Sequence, residues 1–278
     1  MDFLFRLGFS RQLAEMELSS ILGYQPQKIS DDQYLVSLSN LPRLNEVANR
    51  LGGLIEAEYA DSHKIVWRHS ARYWYHQDRN KPYADPRKGL LPPKIARQLV
   101  NIAIGTEIDP DRILLDPFCG SGTILLEAAH LGLKVIGTEI DDAQLSGAKK
   151  NLDWGHAKYE LVKADATGLD KRLKSKVDYI VTEPFMGKTR FKPGEQKNIA
   201  KGLHKLYLGA LKNWLKILNP KGRVVMFFPI FQSDTKQIIT SNVVDQPALS
   251  GYNVLARNII YSQPRAQVKR ETIILEKK

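Results

Sequence analysis

The sequence contains a single cysteine, Cys119, among its 278 residues. That count excludes an intramolecular disulfide framework and a zinc site built from several cysteines. No apolar run reaches the roughly 18 residues that span a bilayer. Asp2 and Arg6 interrupt the N-terminal apolar segment, which is not typical of a signal peptide. We find no internal repeat and no low-complexity tract, and we expect a cytoplasmic protein with no metal site.

Acidic residues are also in deficit, with 30 Asp and Glu against 41 Lys and Arg, a formal charge of +11. Such an excess of positive charge favours a polyanionic partner, although many basic proteins bind none. The hydrophobic content of 43% can form a sizeable core. The length predicts one large domain or two unequal ones.

The most informative segment is Leu115–Leu126, Leu-Asp-Pro-Phe-Cys-Gly-Ser-Gly-Thr-Ile-Leu-Leu. It predicts a strand that ends at Asp116, a turn through two glycines, and a helix beginning near Thr123. Glycine lets the backbone approach a ligand closely, and a helix N-terminus offers unpaired N–H groups. The loop lacks the dinucleotide and P-loop patterns. We therefore predict a nucleoside-type cofactor, the alternative being a turn that needs glycine only for packing.

Two further predicted strands place acids beside this loop. Lys134–Ile140 is a β-branched run that contains Glu139, and Tyr159–Lys163 is followed by Asp165. In a doubly wound parallel sheet the carboxyl ends of the strands form the ligand crevice. An acid at the position of Glu139 can accept hydrogen bonds from ribose hydroxyls, whereas Asp165 could equally be a helix N-cap.

The fourth predicted strand, Val177–Thr182, runs into Glu-Pro-Phe-Met-Gly-Lys. This turn resembles the Asp/Asn-Pro-Pro-Tyr/Phe that amine methyltransferases carry at this position, and the resemblance implies an aromatic amine as substrate. Such an amine is a poor nucleophile until acceptors orient its N–H bonds, and an extruded base needs an aromatic ring to stack on. We predict Glu183 as the acceptor, Pro184 as a rigid carbonyl and Phe185 as the stacking ring. The alternative is that proline simply ends a strand.

Positive charge is concentrated directly after this turn, between Lys188 and Lys205. We predict that the segment binds RNA phosphates, the alternative being a solvated loop. The predicted RNA-binding residues are Lys188, Arg190, Lys192 and Lys197. The stretch Trp67–Lys88 mixes arginines with aromatic residues, which suits stacking on unpaired bases or packing. We expect packing for Trp67 and Trp74.

The order of predicted elements divides the chain into three parts. Residues 1–60 predict the order βαββαβ of a ferredoxin-like α+β domain. Residues 61–88 are a basic and aromatic linker, and residues 89–278 an α/β domain with a seven-stranded sheet. Its last two strands form an antiparallel pair joined by a turn around Pro264.

The motifs together resemble a known family. The glycine loop resembles motif I of class I S-adenosylmethionine-dependent methyltransferases, and Glu-Pro-Phe resembles Asp/Asn-Pro-Pro-Tyr/Phe of amine methyltransferases. Two differences are the longer Glu183 and the second proline, which is replaced by Phe185, so that Met186 occupies the usual aromatic position. With the segment Arg87–Ala103, the chain from about Asp85 onward is similar to the tRNA (guanine-N2) methyltransferases associated with THUMP domains.

This resemblance implies a Rossmann-like methyltransferase fold, S-adenosyl-L-methionine as cofactor, and methylation of a guanine amino group in tRNA. About 60 residues are too few for a ferredoxin-like and a THUMP domain together. We therefore expect THUMP to be lacking, with the linker or a protein partner binding the RNA. The implied cofactor-binding residues are Leu91, Pro92, Asp116, Phe118, Gly120, Gly122, Thr123, Glu139, Ile140, Asp165 and Ala166.

Two other functions stay open at this point. An enzyme that methylates adenine or cytosine in DNA, or a protein glutamine, would use the same amine chemistry. A non-catalytic RNA-binding protein could retain the fold. Intact Gly120, Gly122 and Glu139 favour an enzyme.

Overall fold

Two β-sheets with different strand orders organise the chain. The computed structural model describes residues 1–8, 10–85, 90–187, 194–232, 237–262 and 268–278. Within these ranges the first sheet has five antiparallel strands and the second has seven in a continuous path. No helix in these ranges is both long enough and apolar enough to cross a bilayer.

The N-terminal sheet has the strand order β2-β3-β1-β4-β5. Its strands are Asp2–Leu7 (β1), Gln27–Lys28 (β2), Gln33–Ser37 (β3), Leu54–Tyr59 (β4) and Ile65–Arg68 (β5). Two helices accompany them, Arg11–Leu22 (α1) and Leu41–Arg50 (α2). Phe3, Phe5 and Leu7 alternate along β1 and form a buried cluster with apolar residues of both helices. The predicted ferredoxin-like arrangement of the first four strands is confirmed.

The stretch predicted as a linker contains regular structure. Strand β5 pairs with β4, so the small sheet continues to Arg68, beyond the predicted boundary at residue 60. Helix α3 (Ala71–Arg79) follows, and its N-cap Ser70 accepts a hydrogen bond from Tyr73 N. The boundaries at residues 60 and 88 therefore stay a prediction. The sequence pattern missed β5 because a strand of four residues gives a weak alternation signal.

Both tryptophans of this stretch pack against neighbouring residues. The indole nitrogen of Trp67 donates to Asn49 Oδ1 at 2.9 Å. The ring of Trp74 lies beneath two cations, with Lys94 Nζ at 5.7 Å and the Arg97 guanidinium carbon at 5.6 Å from its centroid. These cation–π contacts fix α3 against the following helix.

The large sheet has the strand order β12-β13-β10-β9-β6-β7-β8, and a short strand, β11, pairs additionally with β10. Its strands are Ile113–Asp116 (β6), Lys134–Glu139 (β7), Tyr159–Lys163 (β8), Val177–Thr182 (β9), Leu218–Gln232 (β10), Gln237–Ile239 (β11), Tyr252–Tyr261 (β12) and Val268–Lys277 (β13). Strands β6 to β10 are parallel to one another, and β12 and β13 are antiparallel. The predicted seven-stranded sheet with an antiparallel pair of strands at its end is confirmed. The predicted turn around Pro264 lies outside the described residues.

Helices cover both faces of this sheet. They are Pro93–Ile104 (α4), Thr123–His130 (α5), Asp142–Trp154 (α6) and Glu195–Ile217 (α7). Apolar residues of α4, α5 and α6 form one buried cluster, and those of α7 form a second with residues of the same strands. Two covered faces are expected for a parallel sheet, whose crossover helices must bury their apolar sides.

Buried polar contacts join the small sheet unit to α4. Glu17 of α1 accepts hydrogen bonds from Gly52 N, Gly53 N and Asn101 Nδ2. Arg50 donates through Nε to Asn101 Oδ1 at 2.9 Å. Burial raises the pKa of Glu17 to about 7, because no solvent reaches its carboxylate.

Candidate active site

A cavity of about 810 Å³ opens where the parallel strands end. The carboxyl ends of β6, β7, β8 and β9 lie at the same edge of the sheet, so the loops that follow them converge there. All predicted cofactor and catalytic residues except Pro92 and Gly122 line this cavity. They are Leu91, Asp116, Phe118, Gly120, Thr123, Glu139, Ile140, Asp165, Ala166, Glu183, Pro184 and Phe185.

Gly122 and Pro92 act as helix caps instead. Gly122 has φ +81° and is the N-cap of α5, which begins at Thr123 as predicted. Its N–H donates to Cys119 O at 2.7 Å and closes the turn. A residue with a side chain rarely adopts this φ, so glycine is required here. Pro92 is the N-cap of α4.

Asp116 is the most deeply buried acid of the cavity, with 2% of its surface exposed. Its Oδ1 accepts hydrogen bonds from Thr182 Oγ1 at 2.7 Å and from Phe118 N at 3.1 Å. Burial raises the pKa of Asp116 to about 7, and the nearby carboxylates of Glu139 and Glu183 contribute in the same direction. A cationic ligand group beside Asp116 would stabilise its ionised form.

Glu139 connects the second strand to the glycine loop. Its Oε2 accepts from Gly120 N at 3.1 Å, and its Oε1 accepts from Ile140 N at 2.8 Å and Asp141 N at 3.1 Å. A carboxylate has about four acceptor positions, so one remains for a ligand hydroxyl. Glu139 therefore holds the loop in place in addition to facing the cavity.

The next two cavity residues differ in character. Ile140 is 63% exposed, an unusual state for isoleucine that leaves an apolar face on the cavity wall. Asp165 is exposed, and its Oδ1 accepts from both Thr167 N and Thr167 Oγ1. It makes a local turn contact and does not cap an α-helix.

The Glu-Pro-Phe turn directs alternate residues to different sides. Pro184 is buried, whereas Phe185 is 59% exposed at the cavity. Met186, at the usual aromatic position, packs partly buried against the core. The fully buried Tyr207 of α7 donates its hydroxyl to Phe185 O at 2.7 Å, which fixes the turn. The structure thus leaves an aromatic ring available at the cavity despite the shifted sequence position.

Arg270 is a cavity residue that the sequence patterns did not reveal. Its Nε donates to Glu183 Oε1 at 2.5 Å, although 87 positions separate the two residues. Strand β13 runs antiparallel to β10, so its first residues lie at the edge where the parallel strands end. A charged residue near the start of the predicted antiparallel strand was the available signal.

A second unpredicted group of hydrogen bonds supports the glycine loop from outside the cavity. Asn151 of α6 is fully buried and donates through Nδ2 to Ser121 O at 2.8 Å and to Tyr83 O at 3.0 Å. Its Oδ1 accepts from Tyr83 N at 2.9 Å. Gln144, which lines the cavity, donates through Nε2 to the Tyr83 hydroxyl at 2.9 Å. Tyr83 therefore couples the predicted linker to the glycine loop.

The predicted RNA-binding residues are only partly described. Lys188, Arg190 and Lys192 lie outside the described residues. Lys197 is exposed on α7, and exposed lysines follow at intervals of four residues. We call Lys197, Lys201 and Lys205 the α7 lysine stripe; none of the three forms a salt bridge within the described part of the chain.

The α7 lysine stripe lies close to the cavity. Leu206, the neighbour of Lys205, lines the cavity itself. Gly187 has φ +89°, and a Cβ there would lie 2.7 Å from Ile199 Cγ2 of α7. The first turns of α7 are therefore packed against the Glu-Pro-Phe turn, and the exposed lysines begin beside it.

The charged groups that line the cavity, most of them hydrogen-bond acceptors, fit S-adenosylmethionine. Five carboxylates line it, and Arg270 is the only cation among the described residues of its lining. Acceptors in this arrangement favour a ligand with positive charge and with hydroxyl or amino donors. The sulfonium, the ammonium group, the ribose hydroxyls and the adenine amine of this cofactor supply such groups. The carboxylates are Asp116, Glu139, Asp141, Asp165 and Glu183.

Comparison with protein families decides the affiliation of the chain. Residues 83–247 match the model of the UPF0020, RMKL-like methyltransferase domain. The chain belongs to this family. Its sheet order, its glycine loop and its carboxylate-lined cavity are therefore features of a methyltransferase domain.

Curated relatives support the same affiliation. The chain is 37% identical over 157 residues to a tRNA (guanine(10)-N2)-dimethyltransferase of Methanothermobacter thermautotrophicus, covering 55% of this chain and 44% of that protein. It is 31% identical over 198 residues to the enzyme of that name from Pyrococcus abyssi, covering 70% of this chain and 52% of that protein. The chain thus spans about half the length of these relatives.

Solved structures share the fold. The crystal structure of TrmN from Thermus thermophilus matches with a TM-score of 0.59 and 18% identity, covering 100% of both chains. A methyltransferase from Pyrococcus furiosus matches with a TM-score of 0.50 and 19% identity, covering 74% of this chain and 96% of that chain. At these identities the likeness concerns the fold.

Proposed function

We propose that this protein transfers a methyl group from S-adenosylmethionine to an exocyclic base amine of RNA, most specifically to guanine N2 in tRNA. The observation that carries the proposal is the position of the Glu-Pro-Phe turn, which sets an acceptor and an exposed ring at one side of a carboxylate-lined cavity. The names of the curated relatives support guanine N2 and tRNA.

In this proposal the cofactor lies along the ends of β6, β7 and β8. Asp116 would hold its ammonium group, Glu139 its ribose hydroxyls and Asp165 its adenine amine. The exposed face of Ile140 would pack on the adenine ring. When bound, the cofactor supplies an electrophilic methyl group on a sulfonium.

The Glu-Pro-Phe turn would position the base. Glu183 Oε2 and the Pro184 carbonyl would accept hydrogen bonds from the two amine N–H groups, so that the lone pair of the amine points into the cavity. Phe185 would stack on the base, and Tyr207 would keep the turn in place through its hydrogen bond to Phe185 O. Positioning is thus the main contribution of the protein.

The α7 lysine stripe would contact RNA phosphates beside the reacting base. A tRNA substrate agrees with the cytoplasmic location predicted from the sequence. A protein partner that adds to RNA binding is a further part of the proposal. It is tested by comparing the tRNA affinity of the isolated protein with its tRNA affinity after cell extract is added.

The direct test is incorporation of labelled methyl groups from S-adenosylmethionine into unmodified total tRNA, with DNA and protein extracts in parallel. Nucleoside analysis should find N2-methylguanosine or its dimethyl form, and the Glu183→Gln variant should form them at least about 100-fold more slowly. Label only in DNA or in protein would refute the RNA substrate. Cofactor binding without label in any sample, with cell extract added, would favour a binding protein that retains the fold.

A further inference from the structure

Glu183 and Arg270 form an ion pair within the cavity. The Arg270 Nε to Glu183 Oε1 distance is 2.5 Å, and each side chain is 19% exposed. The Arg270 guanidinium also lies over the ring of Tyr261, 5.8 Å from its centroid. Arg270 is therefore held between a carboxylate and an aromatic face, which restricts both partners of the pair to one arrangement.

Several polar atoms of this pair have no hydrogen-bond partner within the described residues. Within the described residues, Glu183 Oε2 and both Arg270 Nη atoms make no hydrogen bond, while both side chains line the cavity. A guanidinium has five N–H donors in a rigid fork, and Nε uses one of them here. The cavity therefore presents one free acceptor and several free donors next to each other.

This arrangement complements a particular chemical edge. Guanine, adenine and cytosine each carry an exocyclic amine beside a ring nitrogen that accepts hydrogen bonds. Such an amidine edge needs an acceptor for the amine and a donor for the ring nitrogen. Arginine provides that donor with more directional control than lysine, because its fork is planar.

We propose that Arg270 is a substrate-binding residue that fixes Glu183 and donates to the ring nitrogen beside the reacting amine. The Glu183–Arg270 pair then acts as one recognition unit for the amidine edge of the base. This inference rests on the proposed function and extends it, since it assigns to β13 a direct role in binding the base.

The test is a double-mutant cycle measured by single-turnover methylation of tRNA with saturating S-adenosylmethionine. Arg270→Met should slow the methyl-transfer rate by roughly 10- to 100-fold, the range expected for loss of a hydrogen-bonded charged partner. Arg270→Lys should recover part of the rate. The variant that combines Arg270→Met with Glu183→Gln should be no more than about threefold slower than Glu183→Gln alone, because both residues act as one unit.

A matched control is available on the neighbouring strand. Arg257 of β12 pairs with Asp245 at 2.8 Å and does not line the cavity. Arg257→Met should leave the rate unchanged. In all single variants the cofactor affinity, measured by calorimetry, should stay within about twofold of wild type.

The possible results separate this inference from the proposed function. Wild-type protein that methylates no RNA overturns both. Wild-type activity with additive losses in the double variant, or with an unaffected Arg270→Met, overturns only the role of Arg270. If Arg270→Met does not fold, Arg270→Lys decides: full wild-type rate refutes the need for the fork.

Discussion

Replacing Asp116 by asparagine should stabilise the ligand-free protein and weaken cofactor binding. The carboxyl of Asp116 is 2% exposed, and burial raises its pKa from 3.8 to about 7. The ionised form therefore destabilises the folded state unless a cation lies beside it. Asparagine keeps an oxygen for the Thr182 hydroxyl and the Phe118 N–H, and it carries no charge.

The size of the expected difference in unfolding free energy follows from the coupling between proton binding and folding. A carboxyl whose pKa is raised on folding contributes stability below its unfolded pKa and loses it as the pH rises to the folded pKa. Between pH 5 and pH 7 the folded protein keeps the proton on Asp116 and the unfolded chain does not. The unfolding free energy of wild type should therefore fall, relative to Asp116→Asn, by about 1.4 kcal/mol per pH unit between pH 5 and pH 7 and level off above the folded pKa. The total change between pH 5 and pH 8 is about 3 kcal/mol.

Urea denaturation of both proteins at pH 5, 6, 7 and 8 measures this difference. Calorimetry at pH 8 should show cofactor affinity reduced by roughly 10- to 100-fold in Asp116→Asn, since a charged hydrogen bond is lost. Asp178→Asn is the control, because Asp178 lies near the start of β9, at the opposite edge of the sheet, and does not line the cavity. Its cofactor affinity should equal that of wild type. A stability difference between wild type and Asp116→Asn that does not change with pH would refute the reasoning.

Three further changes test the other parts of the site. Glu183→Gln should bind the cofactor as wild type does and slow methyl transfer by at least about 100-fold, because orientation of the amine is lost; an equal drop of cofactor affinity in calorimetry would contradict the assigned role. Replacing the three lysines of the α7 lysine stripe by glutamate should weaken tRNA binding, as measured in filter assays. The slope of log affinity against log salt concentration should become shallower by roughly 0.7 to 0.9 for each phosphate that is no longer neutralised. The charge-matched control reverses three other exposed residues, Lys28, Lys64 and Lys174, and an equal effect of that control would show that only net charge matters. Gly147→Ala should destabilise the protein by about 1–3 kcal/mol in urea and weaken cofactor binding, because the new Cβ would lie 2.1 Å from Tyr83 Cδ1; unchanged values of both would contradict the coupling of Tyr83 to the loop.

Local sequence patterns were sufficient for the elements that build the proposed cofactor side of the cavity. The β-branched runs, the paired glycines and the acids that follow each strand lie close together in the chain. Parallel strands then bring their ends to one edge. The predicted type of sheet, the helix beginning at Thr123 and the cavity positions of Asp116 and Glu139 all depend on such short-range signals.

Tertiary structure alone decided how distant segments meet. Arg270 reaches Glu183 only because β13 is antiparallel to the parallel strands, and no local pattern records which residue will meet its side chain. Packing likewise decided that Phe185 is exposed while Met186 turns inward, since the core accepts the flexible thioether side chain. Sequence by itself therefore determined the glycine loop and the acids beside it, whereas the partner of the proposed catalytic carboxylate required the folded sheet. The physical reason is that long-range pairing is encoded in packing and not in spacing along the chain.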